Sequence, residues 1–147
     1  MKIISRVLDI MKAKISWDGE ARFLAETESH HTVLMDGPPE HGGKNSGPRP
    51  MEMMLMAIGG CAAFDVVHIL KKGRQSIVSC DAQVEAERSD EVPAVFTKIH
   101  LHFKVSGDNI KENIVRNAVK LSAEKYCSAS IMLSKGGVEI THSLELI

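Results

Sequence analysis

The run from Pro50 to Lys72, PMEMMLMAIGGCAAFDVVHILKK, constrains this chain more than any other stretch. Wound as a helix, it offers no wide polar face. Met53, Leu55, Met56, Ile58, Ala62, Phe64, Val66 and Leu70 point in every direction, which predicts a central helix buried all round. Pro50 suits the first helical turn and Gly73 the C-terminal cap. Lys71, Lys72 and Arg74 lie where the helix dipole favours cations. Gly59 and Gly60, in the middle, each cost about 1 kcal/mol relative to alanine. Close packing of another element, or access to the adjacent Cys61, is expected to offset them.

The flanks read as strands. Ala13, Ile15 and Trp17 alternate with Lys12, Lys14 and Ser16, predicting a strand with one buried face. Asp18-Gly19 suits a hairpin turn, and 22–27 and 31–35 supply two further strands of a meander. Residues 36–50, DGPPEHGGKNSGPRP, are a Gly/Pro-rich loop without regular structure, and loops of that length are often functional or mobile. After the long helix, Val78, Cys80, Ala82, Val84 and Ala86 alternate with polar residues. Beyond a turn at 89–93, Ile99, Leu101, Phe103 and Val105 do the same, as an antiparallel pair with one wet face. Asn109 and Glu112 suit a capping box for a helix from Ile110 to about Lys125. A shorter helical piece runs from Cys127 to about Ser134, and a last strand carries Val138, Ile140, His142, Leu144 and Leu146 on one side. This order predicts an α+β architecture with segregated antiparallel sheets and helices.

Bulk properties narrow the function. The chain has 147 residues, 44% apolar and 25% charged, which suits one domain with a real core. Its net charge of −1 gives nucleic acid no electrostatic footprint. No uninterrupted apolar run of about 18 residues is read as a membrane span. Ile3, Ile4, Val7, Leu8 and Met11 follow helical spacing, but the segment is too short and too charged for a secretory leader. A cytoplasmic location is expected, with residues 1–10 as an extension and residues 11–147 as the domain.

Three cysteines and seven histidines are the candidate reactive groups. Cys61 shares a helix face with Asp65 and His68, at i+4 and i+7. Both a packed small hydrophobe and a thiol with proton-moving neighbours fit that position. Cys127 is expected at the start of a helical turn, where backbone N–H groups and Ser128 and Ser130 can lower a thiol pKa. Cys80, on the apolar side of a strand, reads as structural. The histidines, His30, His31, His41, His100 and His102 among them, show no zinc-ligand spacing with the cysteines. No metal and no cofactor are expected.

At Pro50-Met51-Glu52-Met53, Gly60-Cys61 and Tyr126-Cys127-Ser128-Ala129-Ser130, the sequence resembles the OsmC/Ohr family of thiol-dependent hydroperoxide reductases, and within it the YhfA-type branch. The likeness runs from about Met11 to Ile147. The resemblance implies an OsmC-like α+β fold, with antiparallel sheets wrapped around two long central helices in an intertwined homodimer. It implies that Cys61 is the peroxidatic thiol and that Cys127 resolves it through a disulfide. Glu52 and Arg22, with Arg49 as the other candidate, would form the activating pair. Met54, Ile58, Asp65 and Ser130 would line the substrate pocket. The implied substrates are an organic hydroperoxide and a small dithiol or lipoyl-type reductant. Three positions differ from the family's usual pattern. Met51 follows Pro50, placing Glu52 one residue late; the arginine has a different context; and Ser128 stands where proline commonly follows the second cysteine. The competing readings are an OsmC-fold dimeric binding module for a small apolar or thiol-reactive ligand, without turnover, and a structural domain with inert cysteines.

Overall fold

A computed structural model describes residues 10–147. Most of the expected N-terminal extension lies outside the described residues. The chain divides into two compact units, one ending at Met53 and the other running from Met54 to Ile147.

The first unit carries an antiparallel sheet, β1 (Ala13–Trp17), β2 (Phe23–Thr27) and β3 (Thr32–Met35). The β1–β2 turn places Gly19 at φ 86°, a conformation glycine adopts without strain. The pairing sets Trp17 opposite Phe23, Phe23 opposite Met35 and Ala25 opposite Val33, with Leu24 opposite Leu34 on the other face, so Ile15, Trp17, Phe23, Ala25, Val33 and Met35 share one face. That face is not buried as expected. Ile15 is exposed and Trp17 is 69% exposed, because the unit's own helical pieces are too short to cover a sheet. The Gly/Pro-rich loop is irregular, apart from a 3-10 turn at Pro39–His41. Its anchor is the buried Asp36, whose Oδ2 accepts from the backbone N–H of Lys44 (2.9 Å), that of Ser46 (3.1 Å) and Ser46 Oγ (2.7 Å). These bonds, the Ser46 hydroxyl first, hold the Asp36 carboxyl at about 2, below its ordinary 3.8.

The second unit is built on α1 (Pro50–Lys72), which begins in the first. There follow β4 (Ser76–Arg88), β5 (Phe96–Asp108), α2 (Glu112–Leu121), a π-helical turn (Ser122–Tyr126), α3 (Ser128–Lys135) and β6 (Glu139–Leu146). The sheet order is β4-β5-β6. The expectation of antiparallel sheets holds for β1–β2–β3 and β4–β5, but β6 joins β5 in parallel. The reason is the connection: α2, the π turn and α3 intervene, and a helical crossover returns the chain in the same direction. In β4 a register shift between Ile77 and Ser79 displaces Val78 from the apolar row, and its side chain is exposed. The Asn109–Glu112 capping box does not form. Asn109 takes φ 50° and Lys111 is the N-cap, with no side-chain bond.

Ala62, Val66 and Leu70 of α1 share a core with Leu101, Phe103 and Val105 of β5 and with Val115, Ala118 and Val119 of α2. Within one chain the helix is not buried all round. The chain covers one stripe, Ile58, Gly59, Ala62, Val66 and Leu70, while Met56 is 53% and Phe64 71% exposed. One helix laid on one sheet buries only the side that faces the sheet. The two glycines divide accordingly. A Cβ on Gly59 would stand 2.8 Å from Val84 Cγ2, so glycine lets α1 approach β4. A Cβ on Gly60 would meet nothing within 4 Å among the described residues.

The expectation that no stretch is long and apolar enough to cross a membrane is also corrected. α1 has 23 residues, and an 18-residue window within it with a mean hydropathy of 1.9 passes that test by length and composition. Its buried stripe packs on the chain's own sheet, as a core helix does.

Candidate active site

Cys61 and Cys127 come together with Asp65. The two sulfurs and a carboxylate oxygen of Asp65 all lie within 4.8 Å of one another. Cys61 and Asp65 sit one helical turn apart on the same side of α1, as their spacing predicts. The approach of Cys127 depends on Ser122, which the sequence reading did not single out. Ser122 Oγ, fully buried, donates to the carbonyl of Ala62 at 2.9 Å, which ties the π turn to α1 beside Cys61. The Cys127 N–H then donates to the Ser122 carbonyl at 2.8 Å, closing the wide turn. A lone serine inside a helical pattern gives no sequence signal for either bond.

Cys127 leaves the π turn with extended φ and ψ (−69°, 105°) and becomes the N-cap of α3. Its sulfur accepts two hydrogen bonds from Ser130, from N–H at 3.4 Å and from Oγ at 3.2 Å. Burial pushes the Cys127 thiol above its usual range; the two Ser130 bonds pull it down, and the Cys61 thiol raises it further. Burial also raises the Asp65 carboxyl, opposed by nearby His68. Asp65 Oδ2 is shut off from solvent and has no hydrogen-bond partner among the described residues. Asp65, His68, Ile69, Lys72, Leu121 and Tyr126 line an open cleft of about 460 Å³, so the cluster borders solvent through Asp65.

The other expected site residues stand elsewhere. Glu52 Oε2 accepts from the Arg49 N–H at 2.9 Å, while the Arg49 carbonyl accepts from Met53 N–H at the start of α1. Glu52 thus forms the reciprocal half of a capping box. The Arg49 guanidinium donates to Asn45 Oδ1 at 3.1 Å. Arg22, in the first unit, donates through Nη2 to the Asp18 carbonyl at 3.1 Å and faces the Asp18 carboxylate at 3.6 Å. Ile58 is buried in the core stripe and Met54 is exposed. Ser130 is buried against Cys127. Cys80 has a raised thiol pKa, through burial and then Asp81, and lies on the apolar side of β4 as read. His100 and His102 lie on the outer side of β5, hydrogen-bonded to Thr141 and Ser143 of β6.

Two thiols and a carboxylate are thus gathered beside a buried hydroxyl and a π turn at the rim of a cleft. Residues 43–143 match the family described as OsmC-like protein. The chain belongs to the OsmC-like family. It is 51% identical over 140 residues to Protein YhfA of Escherichia coli strain K12, covering 93% of this chain and 98% of that protein. A structure from structural genomics is 48% identical, with a TM-score of 0.84 over 93% of this chain and 98% of the other. The structure of an organic hydroperoxide resistance protein OsmC from Legionella pneumophila is 18% identical, with a TM-score of 0.72 over 95% and 99%. At that identity the likeness carries the fold alone.

Proposed function

We propose that this OsmC-like protein reduces organic hydroperoxides through Cys61 and Cys127, as a cytoplasmic homodimer. The observation that supports the reading most is the approach of the two sulfurs to within 4.8 Å. A disulfide needs about 2 Å between sulfurs, so the two thiols must close further before they bond.

The Cys61 thiolate attacks the distal peroxide oxygen. The O–O bond breaks, the alcohol leaves after taking a proton, and Cys61 becomes a sulfenic acid. The Cys127 thiolate then attacks the Cys61 sulfur, and hydroxide leaves as water once protonated. A small dithiol, of the lipoyl type, reduces the disulfide by two exchange steps and is itself oxidised. The Ser130 bonds favour the Cys127 thiolate against the burial that opposes it. Glu52 would pair with Arg22 or Arg49 to activate the thiol only by giving up its bond to the Arg49 N–H, and Met54, Ile58, Asp65 and Ser130 would shape the pocket. The second copy of the chain covers the exposed side of α1 at Met56, Gly60 and Phe64.

Reduced protein treated with cumene hydroperoxide is expected to consume it and to yield a Cys61–Cys127 disulfide in peptide maps. Cys61→Ser abolishes consumption and Cys80→Ser leaves it nearly intact. Equal loss in both variants would sink the assigned roles.

One observation favours a second reading, a dimeric module that binds a small apolar or thiol-reactive ligand without turnover. Glu52 is engaged in the helix cap and Arg22 with Asp18, so neither is free as the chain stands. Ligand-induced thermal stabilisation with no peroxide consumed is the result that separates it.

A further inference from the structure

We propose that Cys61, Asp65 and Cys127 form a binding site for a thiophilic divalent cation, zinc above all, when the thiols are reduced. A tetrahedral zinc site, with Zn–S about 2.3 Å and Zn–O about 2.1 Å, holds its donors about 3.6–3.8 Å apart. The three donors here already stand within 4.8 Å of one another, so a contraction of about 1 Å closes them around one ion.

Asp65 makes the independent case. Its Oδ2 is hidden from water and lacks a donor among the described residues. A buried carboxylate oxygen without a partner is costly, and a cation held jointly with the two sulfurs would satisfy the Asp65 carboxylate. A carboxylate is also the wrong sign of group to favour thiolates, and a dication reverses that effect. The two Ser130 hydrogen bonds to Cys127 Sγ are the outer contacts that orient a metal-bound thiolate. Three protein donors leave a fourth position for water from the cleft that Asp65 borders, as in open zinc sites. Sequence spacing hid the set because the third donor comes from a distant turn.

Binding exchanges the two thiol protons, which pass to buffer, for one dication; Asp65 enters as its carboxylate, and no electron moves. A Cys61–Cys127 disulfide removes two donors, so metal and disulfide exclude each other. The site does not depend on peroxide reduction, since cation binding is read directly.

The test uses the full, reduced, metal-stripped chain. Titration with cobalt(II) is expected to raise a thiolate-to-cobalt charge-transfer band that saturates at one ion per chain. Zinc should displace the cobalt, and magnesium, a hard cation, should not. Asp65→Asn and Cys61→Ser each weaken binding at least about tenfold, whereas Cys80→Ser leaves it unchanged. On the wild-type chain, one equivalent of zinc slows alkylation of Cys61 and Cys127 but not of Cys80. That measurement needs no variant to fold. The absence of the band, binding undiminished in Asp65→Asn and Cys61→Ser, or alkylation equal with and without zinc overturns the site.

Discussion

The two adjacent glycines of α1 allow a sharp test of where that helix is pressed and where it is open. Alanine at either position gains about 1 kcal/mol of helix propensity. At Gly60 nothing opposes the gain within the described chain, since the new methyl meets no atom within 4 Å. At Gly59 the methyl would arrive 2.8 Å from Val84 Cγ2. Valine is stiff about χ1 and Val84 is held opposite Leu101 in the β4–β5 ladder, so the strain falls on the backbone. Overpacking of this kind costs about 1–3 kcal/mol. The net for Gly59→Ala is therefore a loss of about 0–2 kcal/mol, against a gain of about 1 for Gly60→Ala. For a chain of this size 1 kcal/mol moves the melting midpoint by about 3 °C, so the two variants should separate by about 3–9 °C. Thermal unfolding at two protein concentrations is the assay, because a dimer makes apparent stability concentration-dependent. A partner helix seated on the open face predicts a second signature. Gly60→Ala should then weaken association in light scattering while stabilising the dilute chain. Equal stabilisation by both alanines would refute the contact between α1 and β4 and the division of roles drawn from it.

Asp36 links acid stability to the Gly/Pro-rich loop. Its carboxyl sits at about 2 in the folded chain against 3.8 ordinarily, so its contribution is present above pH 3.8 and is lost as pH falls through about 2. The gap in urea midpoint between wild type and Asp36→Asn should accordingly shrink over that window, and a gap constant with pH would contradict it. Ser130→Ala removes the hydroxyl bond to Cys127 Sγ. It is expected to cost about 1 kcal/mol and to slow Cys127 alkylation at fixed pH by raising the thiol pKa; unchanged labelling would discount that bond. Glu52→Gln keeps an acceptor for the Arg49 N–H and loses about 0.5 kcal/mol of dipole interaction, whereas Glu52→Ala loses about 1 kcal/mol more. Identical melts for the two variants would mean that Glu52 does not cap α1.

What the sequence made legible follows from the range of the interactions. Periodicity and punctuation are local, so α1 lies between Pro50 and Lys72 as read, and the strands fall where alternation places them. Turns with several solutions were less legible: Asn109 takes a left-handed conformation in place of a cap, and residues 122–126 widen into a π turn. The parallel β5–β6 pair was missed because alternation reports which side faces inward, not which neighbour a strand meets or in which direction. The exposed side of α1 is a different case. Met56 and Phe64 are apolar, which reads as burial in the sequence, yet in the single chain they are exposed. Asp65 and Cys61 were placed on one face by spacing alone. Their meeting with Cys127 came from the family resemblance and rests on the Ser122–Ala62 bond, which leaves no trace in composition or pattern.

The position of one acidic residue explains much of what is particular to this site. The resemblance leads one to expect a glutamate directly after the proline that opens the long helix, whereas here the order is Pro50-Met51-Glu52. With Arg49 as the residue before the first turn, Glu52 is the third residue of the helix, the position from which a glutamate reaches back to the capping N–H. A glutamate one place earlier has no such bond and is free for an arginine. The one-residue shift therefore turns the carboxylate into a local cap, with a 2.9 Å bond to Arg49. The acid that does stand beside both sulfurs is Asp65, on the same helix. A carboxylate in that place disfavours a lone thiolate and favours a bound cation. If Asp65→Asn raised the reactivity of Cys61 and abolished cobalt binding together, this exchange of roles between the two acids would account for both results.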